Sequence, residues 1–153
     1  MPAMPSFSEA ASLGIHAMAL LAASGERSLT NKEMADSLDA SGAHLSKVLQ
    51  RLGKLGYVRA IRGPKGGFSL AARAADLNLR DVFEAVEGKL DLTSCLMKGG
   101  VCIGEDCILS DVVQKVNDQV LKYLTSTRLS DLDGAFSAKG AAKTAVPKRG
   151  GRA

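Results

Sequence analysis

The chain has 153 residues, of which 46% are hydrophobic, 24% charged and 4% aromatic, with no Trp and a formal net charge of +4. That is the make-up of one globular unit with a tail, whose core has to be built from aliphatic side chains. No apolar run reaches the roughly 18 residues that cross a bilayer, and no Lys or Arg precedes the first apolar stretch as in a secretory signal, so a cytoplasmic location away from membranes is expected.

The charge is unevenly placed. Lys139, Lys143, Lys148, Arg149 and Arg152 occupy a tail without acids, and residues 1–136 then hold 15 bases against 16 acids. Within that near-neutral body, no carboxylate falls between Asp39 and Asp76, while Lys47, Arg51, Lys54, Arg59, Arg62, Lys65 and Arg73 do. Clustered positive charge on a neutral body suits an anionic partner.

In chain order, residues 1–6 read as a loose leader with two prolines. Residues 8–23 place Leu13, Ala17, Leu20 and Leu21 at helical spacing, with Ser8 as N-cap and Gly25 closing the segment. Thr30 and Glu33 form a capping box, which predicts a helix from residue 31 to about Leu38 that buries Met34, Ala35 and Leu38. Asp39-Ala40 make a short turn. Ser41 caps a third helix over 42–55 with Leu45, Val48, Leu49 and Leu52 on its apolar face, and Gly56 ends it. Tyr57–Ile61 and Phe68–Ala71 read as strands around Arg62-Gly63-Pro64-Lys65-Gly66-Gly67, a hairpin with a basic tip. Residues 79–87 form a short amphipathic helix ending at Gly88. Residues 89–107 look irregular and contain all three cysteines, and residues 108–125 carry a broad apolar stripe on a long helix. The Ala-, Gly- and Lys-rich remainder is expected to be disordered.

Two short helices joined by a tight turn and followed by a hairpin make a winged helix-turn-helix. The second helix of such a pair fits the major groove of double-stranded DNA. Its solvent side carries Ser41, His44, Ser46, Lys47, Gln50 and Arg51. Residues near its start would meet base edges, and Lys47, Arg51 and Lys54 would meet phosphates. Arg62 and Lys65 at the hairpin tip are candidates for the minor groove. The expected fold class is therefore mainly α with a small β-hairpin, a winged helix-turn-helix plus a long C-terminal dimerisation helix. The expected units are a DNA-binding domain (1–88), a cysteine-containing sensor loop (89–107), a dimerisation helix (108–132) and a disordered basic tail (133–153). Nothing points to an enzyme, since there is no Cys-two-Cys redox pair, phosphate loop, nucleophile elbow or metalloprotease motif.

The run from Ser41 to Ala71, SGAHLSKVLQRLGKLGYVRAIRGPKGGFSLA, resembles the signature of the Rrf-two family of bacterial regulators, most specifically in its Arg62–Phe68 hairpin. The likeness extends in order of elements over about residues 7–130. It implies a homodimer whose long C-terminal helices cross beside a cysteine loop.

Cys95, Cys102 and Cys107, with six and then four residues between them, lie in a glycine-containing loop just before the long helix. Thiolates suit an iron–sulfur cluster, of four or two irons, and also zinc. Either centre needs a further ligand. One branch of the family places a His shortly after the third Cys, where this chain has Ile108-Leu109-Ser110-Asp111. Another takes a carboxylate from the first helix of the other subunit, and Phe7-Ser8-Glu9 occupies that place here. The resemblance thus implies Glu9 as fourth ligand, with His16 as its rival and Glu105 and Asp106 as further acids in the loop. The function it implies is repression or other transcription regulation through a cluster that senses redox state, nitric oxide or iron–sulfur status. A cluster-free regulator of the same fold, answering a metabolite or partner protein, is the alternative.

Overall fold

A computed structural model describes residues 7–71, 74–92 and 108–136. The leader 1–6, Arg73, the cysteine segment 93–107 and the tail from residue 137 lie outside the described residues. The elements in order are α1 (Glu9–Ala23), α2 (Asn31–Leu38), α3 (Gly42–Lys54), β1 (Val58–Ile61), β2 (Gly67–Leu70), α4 (Leu79–Glu87) and α5 (Ser110–Ser126), with 3-10 segments at Ala74–Asp76 and Leu129–Ala135.

α1 begins where expected, because the Ser8 hydroxyl accepts the Ala11 N–H at 3.0 Å. It is the central element, burying Ala11, Leu13, Gly14, Ala17, Met18, Ala19 and Leu21. A helix this apolar on most sides shows no single preferred stripe, so periodicity picks out Leu13, Ala17 and Leu21 but passes over Met18, which is fully buried. A Cβ at Gly14 would sit 2.8 Å from Val86 Cγ2, so α1 and α4 approach as closely as a glycine permits.

α2 starts with the full capping box. Thr30 Oγ1 accepts the Glu33 N–H at 3.1 Å, and Glu33 Oε2 accepts the Thr30 N–H at 2.8 Å. It ends on Asp39 in the left-handed region at φ 49°, which turns the chain sharply into α3. Asn31 Nδ2 then clamps the two helices, donating to Gly42 O at 3.2 Å and to Ser46 Oγ at 2.9 Å. α3 buries Leu45, Val48, Leu49 and Leu52, and Gly56 follows it at φ 74°.

The hairpin pairs β1 with β2 antiparallel, Val58 against Leu70 and Ile61 against Gly67. A third edge was not legible from the strand pattern. Leu29 exchanges backbone bonds with Phe68, at 2.9 Å and 2.7 Å, which fixes the hairpin to the start of α2.

α4 spans Leu79–Glu87 as expected and has its own capping box, Asn78 with Asp81. The last helix, expected over residues 108–125, is α5, and backbone pairing sets its end. The helix stops at Ser126, because Thr127 turns extended and accepts the Leu79 N–H at 2.9 Å, after which Leu129 N–H donates to Leu77 O at 3.0 Å. The following 3-10 segment packs on α1 and buries Leu129 completely. The 3-10 segment extends to Ala135, past the expected boundary at 132. Along α5, Val113 and Leu124 are buried, whereas Leu109, Val112 and Tyr123 of the same stripe stay exposed at 46%, 60% and 58%. Among the described residues no helix is long and apolar enough to cross a membrane.

Candidate nucleic-acid interface

The apolar face of α3 is spent on the core, so its remaining side chains divide by direction. Ser41 is used as the N-cap, accepting the His44 N–H at 3.4 Å. Ser46 faces α2 and accepts from Asn31. His44 and Arg51, two turns apart, face α1 and α4: His44 Nδ1 lies 3.7 Å from Glu9 Oε1, and Arg51 Nη1 donates to Val86 O at 2.7 Å. Between these flanks run Ala43, Lys47, Gln50 and Lys54, all exposed. Spaced at three and four residues, they form one solvent stripe. Lys47, Gln50 and Lys54 make no hydrogen bond or ion pair to any of the described residues.

The wing continues this surface. Gly56 and Tyr57 lead from α3 straight into β1, and the hairpin tip is a β-turn closed by Gly66 N–H donating to Gly63 O at 2.9 Å. Pro64 and Lys65 take the central positions of that turn, where proline's fixed φ fits the first of them. Ser28 Oγ donates to Lys65 O at 3.0 Å, so the tip is anchored from below while the Lys65 and Arg62 side chains remain exposed. Arg59, not singled out by the sequence argument although it lies in the acid-free stretch, is exposed on β1. The structure therefore joins Lys47, Gln50, Lys54, Arg62 and Lys65 on open surface. Ser41, Ser46 and Arg51 are hydrogen-bonded within the fold, Ser41 and Arg51 while still exposed.

Among the described residues no three His, Cys, Asp or Glu side chains converge as a metal site; Cys95, Cys102, Cys107, Glu105 and Asp106 all lie outside them. Glu9 presents a side chain 88% exposed at the start of α1. His16 is tied to its own helix, its Nδ1 lying 2.7 Å from Ser12 O and its ring meeting Phe136 edge to face.

The far end of α4 holds the residues that directly follow it. Glu84 accepts the Leu90 N–H at 3.1 Å and Arg80 Nε–H at 3.0 Å. The Leu90 bond, with help from Arg80 and Lys89 and against a small burial penalty, holds the Glu84 carboxyl below its ordinary 4.5. Folding thus weakens proton binding here. The stabilisation is complete at neutral pH, above the unfolded value, and is lost as pH falls through the depressed folded value. NMR titration should show the Leu90 amide shift moving with the Glu84 carboxyl below pH 4.5. In Glu84→Gln that step should vanish; its persistence would show that another group holds Leu90.

A helix pair with a tight turn, an exposed basic stripe on the second helix and a wing with a basic tip define a winged helix-turn-helix fold. Residues 7–133 match the family described as Rrf2, Iron-dependent Transcriptional regulator, and the chain belongs to it. Its relatives are transcription regulators, a family that is not enzymatic. The chain is 33% identical over 125 residues to the HTH-type transcriptional regulator NsrR of Geobacillus kaustophilus, covering 77% of this chain and 82% of that one. Two Neisseria meningitidis proteins are 33% identical over 90 residues, 59% of this chain and 61% of theirs. The chain thus spans about three-fifths of those relatives. The fold is similar to that of CymR, the global cysteine regulator of B. subtilis, with TM-score 0.66, 26% identity, and coverage of 85% of this chain and 97% of that one.

Proposed function

We propose that the chain is a homodimeric repressor in which two copies of α3 read half-sites of double-stranded DNA, and that an iron–sulfur cluster tunes this affinity. The observation that carries the DNA reading is the open stripe of Lys47, Gln50 and Lys54, continued by Arg62 and Lys65 with no carboxylate between Asp39 and Asp76. Two copies would set the stripes about one DNA turn apart. The exposed Leu109, Val112 and Tyr123 on α5 favour pairing of that helix with a second copy.

The donor chemistry fits the cluster. Cys95, Cys102 and Cys107 supply three soft thiolates within 13 residues, and Glu9 of the partner subunit supplies a carboxylate that the fold leaves accessible. Such a centre, when bound, offers iron open to nitric oxide or oxygen. The protein's part is to hold the thiolates on the segment leaving α4 and to keep Glu9 at the start of α1, where its present neighbour is His44 of the recognition helix.

Protein purified without oxygen should be coloured and contain iron and sulfide, and replacing the three cysteines by Ser should remove both. Duplex-binding constants for loaded and emptied protein should differ, since only a difference between states makes a switch. Equal constants would remove the sensing role and leave DNA binding intact. Colourless protein would favour the cluster-free regulator that answers a metabolite or partner protein.

A further inference from the structure

The last turn of α4 is a meeting point. Arg51 of the recognition helix donates to Val86 O at 2.7 Å across 35 residues of sequence. Ser8, the cap of α1, hydrogen-bonds Glu87. Leu90, on the way to the cysteines, donates to Glu84 at 3.1 Å. A Cβ at Gly14 would lie 2.8 Å from Val86 Cγ2, so α1 and α4 are in close contact at the same turn. Val86 O belongs to the final carbonyls of a helix, which lack intrahelical partners and carry the negative end of the dipole. A guanidinium fits there in charge and in donor geometry.

We propose that Arg51 is a positioning residue for DNA reading and not a phosphate contact. Its bond to Val86 fixes the roll of α3 about its own axis, which decides whether Lys47 and Gln50 meet the groove squarely. The same bond makes the orientation of α3 depend on α4's last turn, from which the cysteine segment departs. The Val86 bond directs the Arg51 guanidinium toward α4, whereas the side chains of Lys47 and Lys54 have no partner among the described residues. The inference rests on DNA binding alone and stands whether or not a cluster is held.

The test uses the full chain with two probes, a random-sequence duplex and the tightest duplex recovered by in vitro selection on the wild type. Arg51→Met keeps the aliphatic stem and removes the donor. The expected result is a loss of about tenfold in the ratio of selected to random affinity, with random-duplex binding and its salt slope unchanged. Arg51→Lys, a point charge without the planar fork, should recover little of that ratio. A phosphate contact would behave otherwise: both duplexes would weaken together, the slope would fall by about 0.9, and Lys would restore it. That pattern overturns the proposal. Should Arg51→Met fail to fold, amide exchange of wild-type residues 84–90 decides. Slower exchange on adding the selected duplex supports the link from α3 to α4, and identical exchange refutes it.

Discussion

Replacing Lys47, Lys54, Arg62 and Lys65 together by alanine is expected to weaken duplex binding on the order of a thousandfold near physiological salt, and to reduce the slope of log affinity against log salt by about three to four. All four side chains are exposed, and none is engaged by an ion pair with a described residue. Their charge is therefore available to displace counterions from phosphates. The same exposure means that little stability is at stake, about 0.5 kcal/mol or less for each substitution, so thermal unfolding should stay near that of the wild type. Two lysines lie on α3 and two cations on the wing. Pairwise variants should divide the slope change between the helix and the hairpin, because additivity holds for sites that do not share partners. Undiminished retention of DNA by the well-folded quadruple variant would refute the assignment of this face.

Gly67→Ala should destabilise the fold by about 2–4 kcal/mol and weaken DNA binding as well. Gly67 has φ +150°, and an added Cβ would lie 2.5 Å from Leu29 O and 3.0 Å from Thr30 N, all backbone atoms. Leu29 cannot yield easily, since it holds Phe68 through two backbone bonds and is followed directly by the Thr30 cap of α2. Relieving the clash would separate the wing from the helix pair that it flanks. Gly63→Ala is the matched control. Its φ is +110° but no atom lies within 4 Å of the added Cβ, so only backbone strain of about 1 kcal/mol is expected. Urea unfolding of both variants checks this. Equal losses would show that close approach to Leu29 is not what position 67 requires.

Much of the DNA-reading unit was legible because its signals are local. The Thr30–Glu33 box, the Ser41 cap, the turn at Asp39 and the spacing of Leu45, Val48, Leu49 and Leu52 each depend on residues within a turn or two, and the structure reproduces them. The hairpin was legible for the same reason, since Gly and Pro mark its tip. Composition identified the acid-free stretch, and close spacing identified the three cysteines as a set; their placement lies outside the described residues.

The less legible features share one cause. The partners of Arg51, Ser46 and Leu29 lie on other elements, and nothing within a local window distinguishes Arg51, bonded to Val86, from Lys47, whose side chain has no partner among the described residues. The end of α5 and the return of Leu129 onto α1 depend likewise on a backbone exchange with Leu77 and Leu79. Short-range capping and apolar period thus determined the helices, the wing and the sign of the surface from the sequence by itself. Which cations find a partner among the described residues, and how the chain after the last helix returns onto α1, was decided only by tertiary packing, because a hydrogen bond between distant segments exists only after the core has brought them together.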